Sequence, residues 1–124
     1  MISPRPWWLC WMPHDAWITI YPNIYPPPGV DAGLHPQVIA HESTHLHQQS
    51  WGLGWWMTKY LASRSFRLSQ EAQAFSEEIR VLEAMGYHEA AGKVLDTASE
   101  DLAGVAYFWA ASSPEQARKA IEEA

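Results

Sequence analysis

The sequence predicts an α+β domain that is mostly α, with a short N-terminal edge strand or β-ribbon ahead of a set of helices. Three observations predict it. Residues 37–51 hold no proline or glycine, and from Ser69 onward apolar residues recur every three or four positions, the period of one helix face. Strand formers are confined to Trp17-Ile18-Thr19-Ile20-Tyr21 and Ile24-Tyr25, and proline follows each run. The chain has 124 residues and one cysteine, which gives length for one core and no internal disulfide.

In chain order, residues 1–16 hold three prolines and several aromatic side chains, and read as an irregular arm packed on the domain. A single domain is expected over 17–124. Pro22 and Pro26 limit both strands to edge positions, because proline donates no ladder hydrogen bond. Such an edge can pair with an extended peptide, or the ribbon only covers the helix that follows. Residues 29–34 read as a loop. Pro36 suits the first turn of a helix, where one N–H lacks a partner anyway. That helix is expected from about His35 to Trp51, with Gly52 as its stop. Trp51, Trp55 and Trp56 flank a turn; the reading is packing against neighbouring helices, with a membrane-surface contact as the alternative. Residues 55–63 read as helical and 63–69 as a break.

Phe75, Ile79 and Leu82 then mark one face of a helix that ends at Gly86, a suitable C′ residue. A further helical stretch starts near His88 and carries Ala91, Val94, Leu95, Ala98, Leu102, Val105 and Trp109 at mixed spacings of three and four, with Asp96-Thr97 as a break point. Ser113-Pro114-Glu115 opens the last helix as N-cap, N1 proline and first-turn acid. Ala117, Ala120 and Ile121 are its core-facing residues.

The chemistry-bearing stretch is His41-Glu42-Ser43-Thr44-His45. On a helix, four residues rise about 6 Å and turn about 40° past a full circle. Both imidazoles leave one face at a separation that one metal ion can bridge. Glu42 lies about 100° around the helix, beside the metal rather than on it. There a carboxylate can serve as general base toward a metal-activated water. A polar helix with two satisfied histidines is the plain alternative. A catalytic zinc takes three protein ligands plus water, and Glu71 suits the third place. It falls within about 40° of Phe75 and about 20° of Leu82 on the helix wheel, so it sits on the core-facing stripe. A buried carboxylate needs compensation, and a cation supplies it. The alternative is that Glu71 lies in a first turn behind a Ser69 N-cap, favoured by the helix dipole. Glu78 is the reserve ligand.

Composition narrows the field. Lys plus Arg number 8 and Asp plus Glu 14, for a net charge of −6. An acidic chain without a basic run argues against nucleic-acid binding. No apolar segment is long enough to span a membrane, and no signal peptide is recognised, so a soluble cytoplasmic product is the expectation. Eight tryptophans imply a core or cleft rich in large rigid side chains, or a sticky surface. Cys10 reads as a small buried hydrophobe. His47 faces away from His41; Gln48 reads as a buried satisfied amide, with a hydrogen bond near the site as the alternative; His14 and His35 read as surface loop residues, with a substrate-facing place as the alternative.

His41-Glu42-x-x-His45, the run on to Gln49, and Glu71-Ala72-Gln73-Ala74-Phe75 together resemble the gluzincin metallopeptidases, of the zincin fold. The size is similar to their minimal form, the minigluzincins, and to short peptidase-like proteins of bacteriophage genomes. The resemblance spans about residues 17–110. It implies a small zincin-like domain that binds Zn2+ through His41, His45 and Glu71, has Glu42 as base, and carries a short edge strand above the cleft. It implies a zinc-dependent peptidase acting on a peptide or protein substrate. Two departures stand out. Where gluzincins often carry an aspartate four residues after the ligand glutamate, this chain has Phe75. The tyrosine or histidine that stabilises the oxyanion has no motif; Tyr60, Tyr87, His88 and Tyr107 are the candidates. The metzincin pattern does not apply, since Gln48 and Trp51 stand where glycine and histidine belong. The rival expectation is a zinc-stabilised structural or assembly protein, for example a virion-associated phage component with a protein-assembly partner. A metal-free helical interaction module is the third, and requires Glu71 to be unligated.

Overall fold

In the structure, a computed structural model that describes residues 1–124, five α-helices follow one small antiparallel sheet. The strands are β1 (Ile18–Ile20) and β2 (Asn23–Tyr25). The helices are α1 (Pro36–Gln49), α2 (Leu53–Ala62), α3 (Arg64–Ala84), α4 (His88–Leu102) and α5 (Pro114–Glu122). The chain is therefore mostly helical, with a two-stranded ribbon near its N-terminus.

Ile18 stands opposite Tyr25 and Ile20 opposite Asn23. The expected irregular arm is more ordered than its prolines suggested. Ile2 bridges Ile24 in parallel, the Ser3 N–H donates to the Ile24 carbonyl at 2.9 Å, and the Ile24 N–H donates to the Met1 carbonyl at 2.7 Å. This covers the outer side of β2. The arm continues through a 3-10 turn (Trp7–Leu9) whose Leu9 packs on Ile18 and Tyr25. Arg5 ties it down by donating to the carbonyls of Pro13 and Ala16. Cys10 follows that turn and is exposed, not buried; Leu9 is the residue the turn points inward.

α1 starts at Pro36 as read from the sequence. α2 starts at Leu53, two residues early, because Gly52 takes φ 146° and lets the chain turn directly into it. The expected break over 63–69 shrinks to one residue. Ser63 ends α2 and caps α3, its hydroxyl accepting from the Phe66 N–H at 3.2 Å. With the N-cap at Ser63, Glu71 lies beyond the first turn, and the Ser69-cap account of it falls. α3 ends at Gly86, φ +84°, where the Tyr87 N–H reaches the Leu82 carbonyl and the Gly86 N–H the Glu83 carbonyl. α4 runs unbroken through Asp96-Thr97, which are exposed on its outer face. It stops at Leu102, so Val105 and Trp109 lie outside it and face solvent. α5 is capped by Ser113 and buries Ala117 and Ile121.

The main core lies among α3, α4 and α5 around Ala72, Ala98, Leu102, Ala117 and Ile121. α1 packs chiefly on α3, with the ribbon beside it. Its buried residues are His41, Glu42, His45 and Gln49, so the inward face of this helix is wholly polar. Such a face is unfavourable unless every group finds a partner.

The tryptophans depart most from expectation. Only Trp56 is buried, Trp17 is half-buried, and the other six are exposed, including Trp51 and Trp55 of the turn. α2 turns Trp56 and Tyr60 inward, one helical turn apart, which leaves Trp55 on another side of the helix. No helix is long and apolar enough to cross a membrane.

Candidate metal centre

α1 brings His41, Glu42 and His45 to its inner face, and α3 brings Glu71 against them. Glu71 Oε1 lies 3.0 Å from His45 Nε2 and 3.7 Å from His41 Nε2. One ligand atom from each of the three residues lies within 4.8 Å of the other two. Donors about 2.05 Å from a tetrahedral zinc would stand roughly 3.3 Å apart, and the two observed separations bracket that value. All three side chains are buried, Glu71 at 3 % exposure. The cluster could hold a metal ion, and it is a set of one carboxylate and two imidazoles, donors suited to a first-row divalent cation.

Groups behind the three ligand candidates fix their orientation. Tyr60 Oη donates to Glu71 Oε2 at 2.9 Å, which leaves Oε1 to the histidines. Gln48 Oε1 meets His45 Nδ1 at 3.0 Å, and Gln48 Nε2 donates to the Gln70 carbonyl and to Gln73 Oε1. Glu78 Oε1 stands 3.0 Å from His41 Nδ1, off the line of a well-directed hydrogen bond, so charge rather than direction holds that pair. Both imidazoles are thereby gripped at Nδ1 and present Nε2 to one point. Glu42 is at the side of this point, and Thr19 Oγ1 donates to its Oε2 at 2.5 Å.

Charge follows the geometry. Burial pulls the His41 imidazole down, but Glu71 and Glu78 outweigh it and push it up to about 10. Burial works the same way on His45, and Glu71 again reverses it. Burial alone would raise the Glu71 carboxyl, yet the two imidazoles hold it well below the usual carboxylate range. Without a metal, the cluster is an ion-paired knot.

No family model, curated protein or solved structure matches this chain.

A cleft of about 320 Å³ opens over His41, Glu42, His45 and Glu71. Its walls come from β1, α2 and Tyr107, and Met12 of the arm stands at its rim. Tyr60 and Tyr107 line it. Tyr87 and His88 do not; they sit at the exposed α3–α4 turn, where Tyr87 closes the helix end. His47 is exposed, His14 is exposed, and His35 packs edge-on against Trp17. Glu78, the reserve ligand, lies behind His41 rather than among the ligand atoms. Gln48 is not a passive buried amide but the orienting partner of His45.

Three contributors were not read from the sequence. Thr19 and Gln49 join β1 to α1: Gln49 Nε2 donates to the Thr19 carbonyl at 3.1 Å, and the Tyr21 N–H donates to Gln49 Oε1 at 2.8 Å. Arg67 is buried without a carboxylate partner, and its guanidinium donates to the carbonyls of Tyr60, Leu61, Tyr107 and Phe108. It thus ties down both segments that carry the cleft tyrosines. The one signal for Gln49 was its position, four and eight residues beyond His45 and His41 on one helix face.

Proposed function

We propose that the chain is a minimal zinc-dependent peptidase of the gluzincin kind, with His41, His45 and Glu71 as metal ligands and Glu42 as general base. The observation that carries the reading is Glu71 Oε1 at 3.0 and 3.7 Å from two Nε2 atoms, with Glu42 beside them on the open cleft. Zinc held by these donors would polarise a carbonyl, lower the pKa of water toward about 7, and keep one position open.

Each residue then has a task. Glu42 takes a proton from the attacking water and returns it to the leaving amine. Thr19 engages its Oε2, so Oε1 is the oxygen free for the proton. Tyr107 is the better oxyanion donor. The Tyr60 proton is committed to Glu71, whereas the Tyr107 hydroxyl makes no hydrogen bond. Burial, with Glu71 and Glu42 nearby, pushes the Tyr107 phenol up, so it stays a neutral donor around neutral pH. A peptide has a main-chain edge to meet. Along a strand, the N–H and C=O of one residue point the same way. Gln49 occupies the Thr19 carbonyl and the Tyr21 N–H, which leaves the Thr19 N–H and the Trp17 carbonyl facing outward.

The second reading, a zinc-stabilised structural or assembly protein, draws on the burial of all four site side chains, each below 9 % exposure, since structural zinc sites are closed. One experiment separates the two. Purified wild type and Glu42→Gln are assayed for zinc content and for cleavage of casein and a peptide library. Zinc in both, with cleavage lost by at least about 100-fold in the variant, supports the peptidase. Zinc in both and cleavage in neither supports the structural reading. Zinc in neither overturns both.

A further inference from the structure

We infer that α2 and the Phe108–Trp109 corner form a docking face for the surface of a bilayer that carries anionic phospholipid headgroups. α2 reads Leu-Gly-Trp-Trp-Met-Thr-Lys-Tyr-Leu-Ala, apolar on nearly every side. Such a helix belongs in a protein core or against lipid. Here only the Trp56–Tyr60 stripe turns inward. Trp55, Met57, Leu61, Phe108 and Trp109 are all between 41 % and 66 % exposed.

Leu61, Phe108 and Trp109 meet at one corner, and Trp55 flanks α2 on its other side against Phe66. Arg67 holds the Leu61 and Phe108 carbonyls together, at 3.1 and 3.2 Å. Arg64 Nε donates to the Trp109 carbonyl at 2.8 Å. The corner is also held in an unfavourable conformation. Phe108 and Trp109 have φ 52° and 50°, a left-handed pair that bulky residues avoid. Two arginines keep that backbone in place while both aromatic rings remain exposed.

Charge selects the partner. The chain has 14 acidic residues, yet none lies between Glu42 and Glu71 or between Asp101 and Glu115, the segments that build this face. Lys59 stands over Trp55 at 4.9 Å, and Arg64 flanks the corner. Aromatic and aliphatic side chains beside cations, with the neighbouring carboxylates Glu42 and Glu71 buried inside the cleft that Met57 and Leu61 also line, match the headgroup boundary of an anionic leaflet. Nine of the 14 acidic residues lie on the second half of α3, on α4 and on α5, so an anionic surface would turn this face toward itself. A symmetric dimer through the same patch would instead bring Lys59 and Arg64 near their own copies.

The test is sedimentation of the full chain with vesicles of phosphatidylcholine, with and without phosphatidylglycerol. Two cations at about fivefold each give roughly 30-fold tighter binding to the mixed vesicles, weakened by salt. Tryptophan emission of the wild type shifts to the blue and is quenched by bromine-labelled acyl chains. The variant Trp55→Ser/Leu61→Ser/Trp109→Ser, with an unchanged circular dichroism spectrum, binds at least tenfold more weakly; Met85→Ser/Tyr87→Ser at the α3–α4 turn binds as wild type. Wild type that stays in the supernatant with both vesicle types, or emission untouched by brominated lipid, overturns the inference without reference to any variant. A dimer by light scattering that the triple variant dissolves, with no vesicle binding, assigns the face to self-association instead.

Discussion

Glu78 Oε1 stands 3.0 Å from His41 Nδ1, on the far side of the imidazole from Glu71. The two glutamates are seven residues apart on α3, two turns along one face. Phe75, between them, cannot bind a ring nitrogen and instead packs edge-on against His41 with centroids 4.5 Å apart. Glu78 therefore supplies from two turns away what an aspartate at position 75 would supply from one.

Glu78→Gln keeps the shape and removes the charge behind His41. Removing such a partner costs about 10- to 100-fold in metal affinity. Competition with a chromophoric chelator measures it, and the circular dichroism spectrum stays as in wild type.

Gln49→Ala leaves the Thr19 carbonyl and the Tyr21 N–H without their partner. Stranded polar groups at a part-buried position cost about 1–3 kcal/mol, read as a lower urea midpoint. The ribbon also loses its register on α1, so Thr19 no longer holds Glu42.

Arg67→Met removes a buried guanidinium that donates to four carbonyls. With those acceptors stranded, a loss of about 3 kcal/mol is expected. Unfolding by urea tests it, and the Tyr60 and Tyr107 segments should show the largest gain in amide exchange.

The metal-free chain carries a pH signature of its ion-paired knot. His41 is raised from 6.5 to about 10. Its contribution to stability is complete below about pH 6.5 and is lost as pH rises through about 10. Glu71 is held below its ordinary 4.5, so its contribution is present above that value and is lost on acidification. Chelator-treated protein should therefore be most resistant to urea in the mildly acidic range, and weaken toward pH 10. Zinc needs both imidazoles neutral, so binding releases protons and tightens as pH rises.

Much of this was legible because it is local. The paired histidines, Pro36 at a helix start, Gly86 at a helix end and the Ser113-Pro114 cap are all set within a turn or two of chain. Glu71 was legible because a carboxylate on an apolar stripe is anomalous. The α2–α3 boundary was not, since Ser63 and Ser69 are equally good caps by identity and only packing selects the first. Thr19, Gln49 and Arg67 act across 23 to 41 residues of sequence, and their identity alone does not say which carbonyl or carboxylate they meet. Of the two readings of the tryptophans the exposed surface is the one six of them take, and the packed reading of the 51–56 turn holds fully only for Trp56, because identity alone does not say which side of a helix is covered.

The most direct measurement is calorimetric titration of zinc into the chelator-treated chain and into His45→Ala and Glu71→Gln. One zinc per chain is expected, bound at least about 100-fold more weakly when either ligand is removed. Wild type that takes up no zinc, or variants that bind it as tightly as wild type, would contradict a metal held by residues 41, 45 and 71.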